Sequence, residues 1–171
     1  MNVEIGSNSS KIISITLTET TAKEVVCIKD LNGVVLFSEN LEKLTSYTKV
    51  LNLSVLPNGI YFVESRTESR ILSTPLVISK EKVSLMNDSV KSYSAPEITL
   101  EANHVKVLVR NTNKVPVSIT IYDAEGTLLS VIEGNTNSIV YGHYDASNLH
   151  KKDIIVSVSE GDYSFVKEVK L

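Results

Sequence analysis

Residues Asp30-Leu31-Asn32-Gly33 return 93 positions later as Asp123-Ala124-Glu125-Gly126, and the offset holds without a gap along the chain. Glu4-Ile5 aligns with Glu97-Ile98, Leu56 with Leu149, Val63 with Val156 and Ile78 with Leu171. An internal repeat constrains architecture before any single residue does, because each copy must form the same supersecondary unit. In both copies the repeated turn follows an alternating run, Glu24 to Ile28 and Val117 to Ile121. Alternation of period two is the signature of a strand buried on one face.

The rest of the chain reads the same way. Ile13, Ile15 and Leu17 alternate with Ser14, Thr16 and Thr18. The pattern predicts strands near 24–30, 34–39, 48–54, 60–66 and 71–79, then 105–110, 117–123, 127–133, 138–143, 154–160 and 163–170. Short strands with turn signals between them imply an antiparallel β-sandwich. The expected fold class is all-β, with two tandem Ig-like or fibronectin-like sandwich domains: residues 1–80, a linker over 81–95, and residues 96–171. Domains this small bury only about 60% of their unfolded surface. The expected cores use Val26, Ile28, Leu53, Ile60, Phe62 and Leu72 in the first copy, and Ile119, Ile121, Leu128, Ile139, Ile155 and Phe165 in the second. Asp at the first turn position and Gly at the fourth predict a type I turn with a positive φ at Gly33 and Gly126. Pro57-Asn58-Gly59 reads as a second turn of similar logic.

Charge and cysteine content remove several classes of function. The formal net charge is −3, and no basic run exceeds two residues, so nucleic acid is not an expected partner. No apolar run approaches the roughly 18 residues of a membrane span. Cys27 is the single cysteine, which forbids an intrachain disulfide. It lies on the strand face opposite Val26 and Ile28, with no histidine in its copy to activate it, and reads as structural. Met1-Asn2-Val3-Glu4 lacks the basic and apolar regions of a signal peptide.

Chemistry-bearing residues are few. His143, Asp145 and His150 form the one grouping with metal-ligand character, but their spacing fits no tight zinc pattern, and solvated loop residues are the expectation. Asp153, Glu160 and Asp162 would give a calcium loop too few oxygens and read as surface charge. Asn8, Asn52 and Asn87 begin Asn-x-Ser sequons, and Asp88-Ser89-Val90 resembles an O-glycosylation acceptor triplet of Bacteroidetes. Tyr93, Tyr122, Tyr141 and Tyr144 are candidates for a binding patch, though half-buried sheet tyrosines are the simpler reading. Phosphate cradles and nucleophile elbows are absent from the sequence. No catalytic, cofactor-binding or metal residues are therefore assigned, and no cofactor is expected.

Val26-Cys-Ile-Lys-Asp-Leu-Asn-Gly33, followed by Leu53-Ser-Val-Leu-Pro-Asn-Gly-Ile-Tyr-Phe-Val63, resembles the C-terminal sorting tails of Bacteroidetes type IX secretion substrates. Those tails run from an apolar strand through an Asp/Asn-x-x-Gly turn to Leu-Pro-x-Gly-Ile-Tyr-x-Val. The resemblance implies an Ig-like sandwich from a secreted or cell-envelope protein. It is better in the first, internal copy; the second has Leu149-His150-Lys151-Lys152-Asp153-Ile154 where the first has Leu56-Pro-Asn-Gly-Ile-Tyr61. The expected function is a non-enzymatic, extracytoplasmic binding or structural module, with a cytoplasmic location left open. The alternative is a sorting or anchoring module of a type IX-like system. Its partner would be a protein or surface glycan, met at a sheet edge or at loop ends. The oligomeric state is not legible.

Overall fold

The structure is a computed structural model, described here for residues 1–6, 11–21, 23–149 and 153–171. The described residues form strands and one short 3-10 turn, in four antiparallel sheets. The chain divides into two compact units, Met1–Ser92 and Tyr93–Leu171.

Unit 1 is a sandwich of two sheets. One sheet joins β1 (Asn2–Ile5), β2 (Ile12–Leu17) and β5 (Tyr47–Asn52), in the order β1-β2-β5. The other has six strands: β3 (Glu24–Asp30), β4 (Val35–Leu41), β6 (Gly59–Arg66), β7 (Arg70–Ile78) and β8 (Val83–Leu85) in the order β4-β3-β6-β7-β8, with β9 (Lys91–Ser94) paired to β7 off this path. The two sheets close on Ile13, Ile15, Val26, Ile28, Val63, Leu76 and Ile78, all wholly or nearly buried. Between β8 and β9 the chain passes a 3-10 turn (Asn87–Ser89). Met86 N donates to Pro75 O at 2.9 Å, so the segment after β8 stays against unit 1.

Unit 2 has the same plan. Its first sheet is ordered β10 (Glu97–Glu101), β11 (His104–Arg110), β14 (Ile139–Asp145). The second is ordered β13 (Leu128–Asn135), β12 (Val117–Asp123), β15 (Ile154–Glu160), β16 (Tyr163–Val169). The strand pairs β3/β12 and β7/β16 each begin 93 positions apart. Three strands facing four, with this order, is the arrangement of an Ig-type sandwich of the fibronectin kind. The core is Val105, Val107, Val109, Val117, Ile119, Ile121, Val140, Ile154, Val156 and Val158.

The repeated turn has the same hydrogen bonds twice. Asp30 Oδ1 accepts from Asn32 N and Val34 N, both at 2.9 Å. Asp123 Oδ1 accepts from Glu125 N at 3.0 Å and Thr127 N at 2.7 Å. Gly33 and Gly126 take φ +83° and +84°, the left-handed region that a type I turn closing into a bulge requires. The bulge is seen as a register shift after Ile28 and after Ile121.

Several core expectations fail, because runs such as Ile60-Tyr-Phe-Val63 and Ile154-Ile-Val156 are apolar in both phases. A one-residue change of phase turns every side chain over. Tyr61 and Val63 face inward, while Ile60 is 40% exposed and Phe62 half-buried. Ile154 and Val156 are buried, and Ile155 lies on the outer face. Val140 is buried where Ile139 was expected and is 57% exposed. Leu128, on a sheet-edge strand after the bulge, is 55% exposed. Leu72 and Phe165 do point inward, but both lie on strands at one end of a sandwich and stay partly exposed. Pro57-Asn58-Gly59 is also different in kind. It joins β5 in one sheet to β6 in the other rather than closing a hairpin, and Gly59 has no positive φ.

Candidate functional site

The two copies differ at one end of the sandwich, between the β2–β3 and β6–β7 loops of unit 1. In unit 1 this mouth is an open cavity of about 270 Å³, whose lining includes Leu17, Glu24, Ser65, Arg70 and Leu72. Glu24 begins β3 at an inward-facing position and is only 5% exposed. Its Oε1 accepts from Ser65 Oγ at 2.5 Å and its Oε2 from Thr21 N at 3.0 Å. At the rim Lys23 Nζ lies 2.9 Å from Glu68 Oε1, linking the two loops through exposed side chains. Beside it, Thr20 is buried and pins the β4–β5 loop: its Oγ1 donates to Glu42 O at 2.6 Å and accepts from Leu44 N at 2.7 Å.

Unit 2 closes the same end. Val117 and Val158, fully buried, replace Glu24 and Ser65, and Phe165 replaces Leu72. Pro116 and Gly161, at the positions of Lys23 and Glu68, are joined directly, Gly161 N donating to Pro116 O at 3.0 Å. Asn111 is buried and fixes the β11–β12 loop, donating to Val115 O at 2.8 Å and accepting from Val115 N at 3.1 Å.

The residues singled out by sequence are scattered. His143 is exposed and stacks on His104, ring centroids 5.0 Å apart. Asp145 lies 3.9 Å from His104 Nδ1 but serves the backbone, its Oδ1 accepting from Ser147 N at 2.9 Å. The Ser147 hydroxyl and amide hold the Asp145 carboxyl below its ordinary range. Asn52 makes the same bond in unit 1, to Ser54 N at 3.0 Å, so this pair caps a repeated corner. His150 and Asn8 lie outside the described residues. Among the described residues no group of three potential ligands is placed to hold a metal ion.

Asp153 and Glu160 stand at opposite ends of β15, roughly 20 Å apart at strand rise. Glu160 is not surface charge but fully buried. Asn113 Nδ2 donates to its Oε1 at 3.4 Å, while its Oε2 has no partner among the described residues. Burial pushes its carboxyl above the ordinary range, partly countered by Asn113. Tyr93 is buried against Tyr163, ring centroids 4.1 Å apart, Tyr122 and Tyr144 are half-buried, and Tyr141 is exposed. The four therefore do not form one exposed patch. Asn87 and Asp88 are exposed and Ser89 half-buried on the 3-10 turn.

Sequence reasoning missed Glu64, which is fully buried on the outward face of β6. Its carboxylate is 2.7 Å from Lys29 Nζ and 2.6 Å from an Arg66 terminal nitrogen. Cys27 Sγ lies 3.9 Å from Glu64 Oε2. Burial first, then this carboxylate, raises the Cys27 thiol, which keeps it protonated and unreactive. The signal for both glutamates was available as a comparison between copies: Glu24 and Glu64 stand where the second copy has Val117 and Ser157.

The fold and this open end define an all-β, antiparallel sandwich protein. Residues 8–79 match the family model of the secretion system C-terminal sorting domain. That match bears out the resemblance carried by Leu56 to Val63 and covers β2 to β7 of unit 1. The family is described by sorting rather than by catalysis. No curated protein matches the chain. Among solved structures, the BSP domain of a biofilm associated protein is 13% identical over 95% of this chain and 27% of its own, with a TM-score of 0.34. A Ruminococcus gnavus β-glucuronidase in complex with uronic isofagomine is 15% identical over 94% of this chain and 32% of its own, with a TM-score of 0.33. The chain thus spans about a third or less of either structure. No helix among the described residues is long and apolar enough to cross a membrane.

Proposed function

We propose that this chain is an extracytoplasmic, non-enzymatic sorting or anchoring module of the type IX kind. It is built as two tandem sandwich domains, residues 1–80 and 96–171, joined over 81–95. The observation that carries this reading is the sorting-domain match over residues 8–79. The expected place of action is the cell envelope or the medium.

The test is a periplasm-exported reporter carrying the full chain at its C-terminus in a type IX-competent host. The reporter is expected at the outer surface or in the medium, and deletion of residues 8–79 is expected to leave it in the periplasm. Periplasmic retention of the full fusion, or equal delivery without residues 8–79, overturns the proposal.

A second reading, a module that binds a surface partner, is favoured by the open polar mouth of unit 1 alone. The two are separable, because binding does not require export.

A further inference from the structure

We propose that the mouth of unit 1, between the β2–β3 and β6–β7 loops, is a binding site for a neutral sugar. The inference goes beyond the sorting reading and stands on the mouth's own chemistry.

A sugar ring presents adjacent hydroxyls, each able to donate and accept, over a C–H face. A site for it needs acceptors and donors side by side above an apolar floor. Leu17 and Leu72 supply that floor. Glu24 supplies acceptors. Its two oxygens each receive one bond from the protein, at 2.5 and 3.0 Å, which fixes the carboxylate yet uses only part of its capacity of about four lone-pair sites. Arg70 supplies donors. Its Nε is oriented by Ser92 Oγ at 3.1 Å, and among the described residues the terminal N–H groups of the fork are left for a ligand. Thr18, Thr21, Thr67 and Ser69 also line it.

Charge does not favour an ionised member of this class. Glu19 and Glu24 are met by Arg70 and by the amino group of Met1, so the lining carries no net charge, which gives a uronic acid, a phosphate or a sulfated sugar no electrostatic advantage over a neutral one. Glu19 also holds φ +94°, a strained backbone for a residue with a side chain, of the sort that clusters at binding sites. The Lys23–Glu68 pair spans the loops with two long side chains where unit 2 uses a direct backbone bond. This separation of the loops keeps the cavity open.

Unit 2 is a built-in control, since the same end is filled by Val117, Val158 and Phe165. Amide spectra of the full chain would be recorded during titration with glucose, galactose, mannose and N-acetylglucosamine, each to about 50 mM, a range that captures millimolar affinity. At least one sugar is expected to shift Leu17, Glu24, Ser65, Arg70 and Leu72 in a saturating manner, with Val117 and Val158 unmoved. The double variant E24V/S65V installs the residues of unit 2, and it is expected to keep a dispersed spectrum and bind at least tenfold more weakly. Arg70→Ala, at an exposed position, is expected to weaken binding at least tenfold and serves if the double variant unfolds. The proposal is overturned if no sugar moves these residues, or if the shifts survive in the folded variants. It is equally overturned if acetyl-lysine amide moves them while the sugars do not, since the mouth would then take a basic peptide side chain.

Discussion

Glu160 and Tyr61 show what one buried polar group does in each copy. Among the described residues Glu160 has one weak partner and an unpartnered oxygen. Because burial raises its folded-state pKa, the unfolded chain loses its proton first as pH rises, so the folded state is penalised progressively. Stability from this group is intact below the ordinary glutamate range and is lost as pH climbs through the raised value. Denaturant melts across pH 4–8 are expected to show this slope in the native protein and to show it reduced in Glu160→Gln. Tyr61 is the opposite case. Its hydroxyl donates to Pro57 O at 2.9 Å, the tyrosine corner that stiffens the crossing between sheets in such sandwiches. Tyr61→Phe is expected to cost about 1 kcal/mol, read as a lowered midpoint in urea. Neither role was legible in sequence. Glu160 looked like surface charge beside Gly161-Asp162, and Tyr61 sat in a run apolar in both phases, where only cross-strand register decides which side chains face in.

At the scale of elements, the Asp-x-x-Gly hairpins were legible because their physics is local. One carboxylate accepts two backbone N–H groups, one glycine takes the left-handed conformation, and no distant contact is needed. Asp30→Ala and Asp123→Ala are each expected to cost about 1 kcal/mol. Similar losses in the two variants, measured by thermal melts, would show that the hairpins contribute alike. The Pro57-Asn58-Gly59 segment has the same kind of composition but another role, because its flanking strands belong to different sheets. Turn chemistry reports that the chain bends; it does not report which sheet the next strand joins. The mouth was hidden for a related reason: Glu24 and Ser65 are 41 positions apart, and only the pairing of β3 with β6 brings them together.

For the molecule as a whole, each unit has a core of its own residues. Residues 1–92, the compact first unit, are expected to fold when expressed alone, giving a dispersed amide spectrum and a cooperative melt. A collapsed spectrum would mean that this core is too small by itself, as small sandwiches without disulfides often are. The shared plan of the two units is what the 93-residue offset in the sequence led one to expect, while the strand order itself is set by the pairing. The family match over residues 8–79 followed from Leu56 to Val63.

A chain that carries two similar sandwiches faces a hazard during synthesis: a strand can join the wrong copy, and misassembly of this sort is characteristic of repeated domains. Glu64 makes one such error costly. In place, its carboxylate meets Lys29 from the neighbouring β3 as well as Arg66 from its own strand. Were β6 to dock beside β12, the position of Lys29 would be held by Tyr122, and the glutamate would lose its cross-strand cation in a dry setting, a costly error. A β6 misplaced in this way would carry a buried acid short of one partner, so the correct pairing is the cheaper of the two.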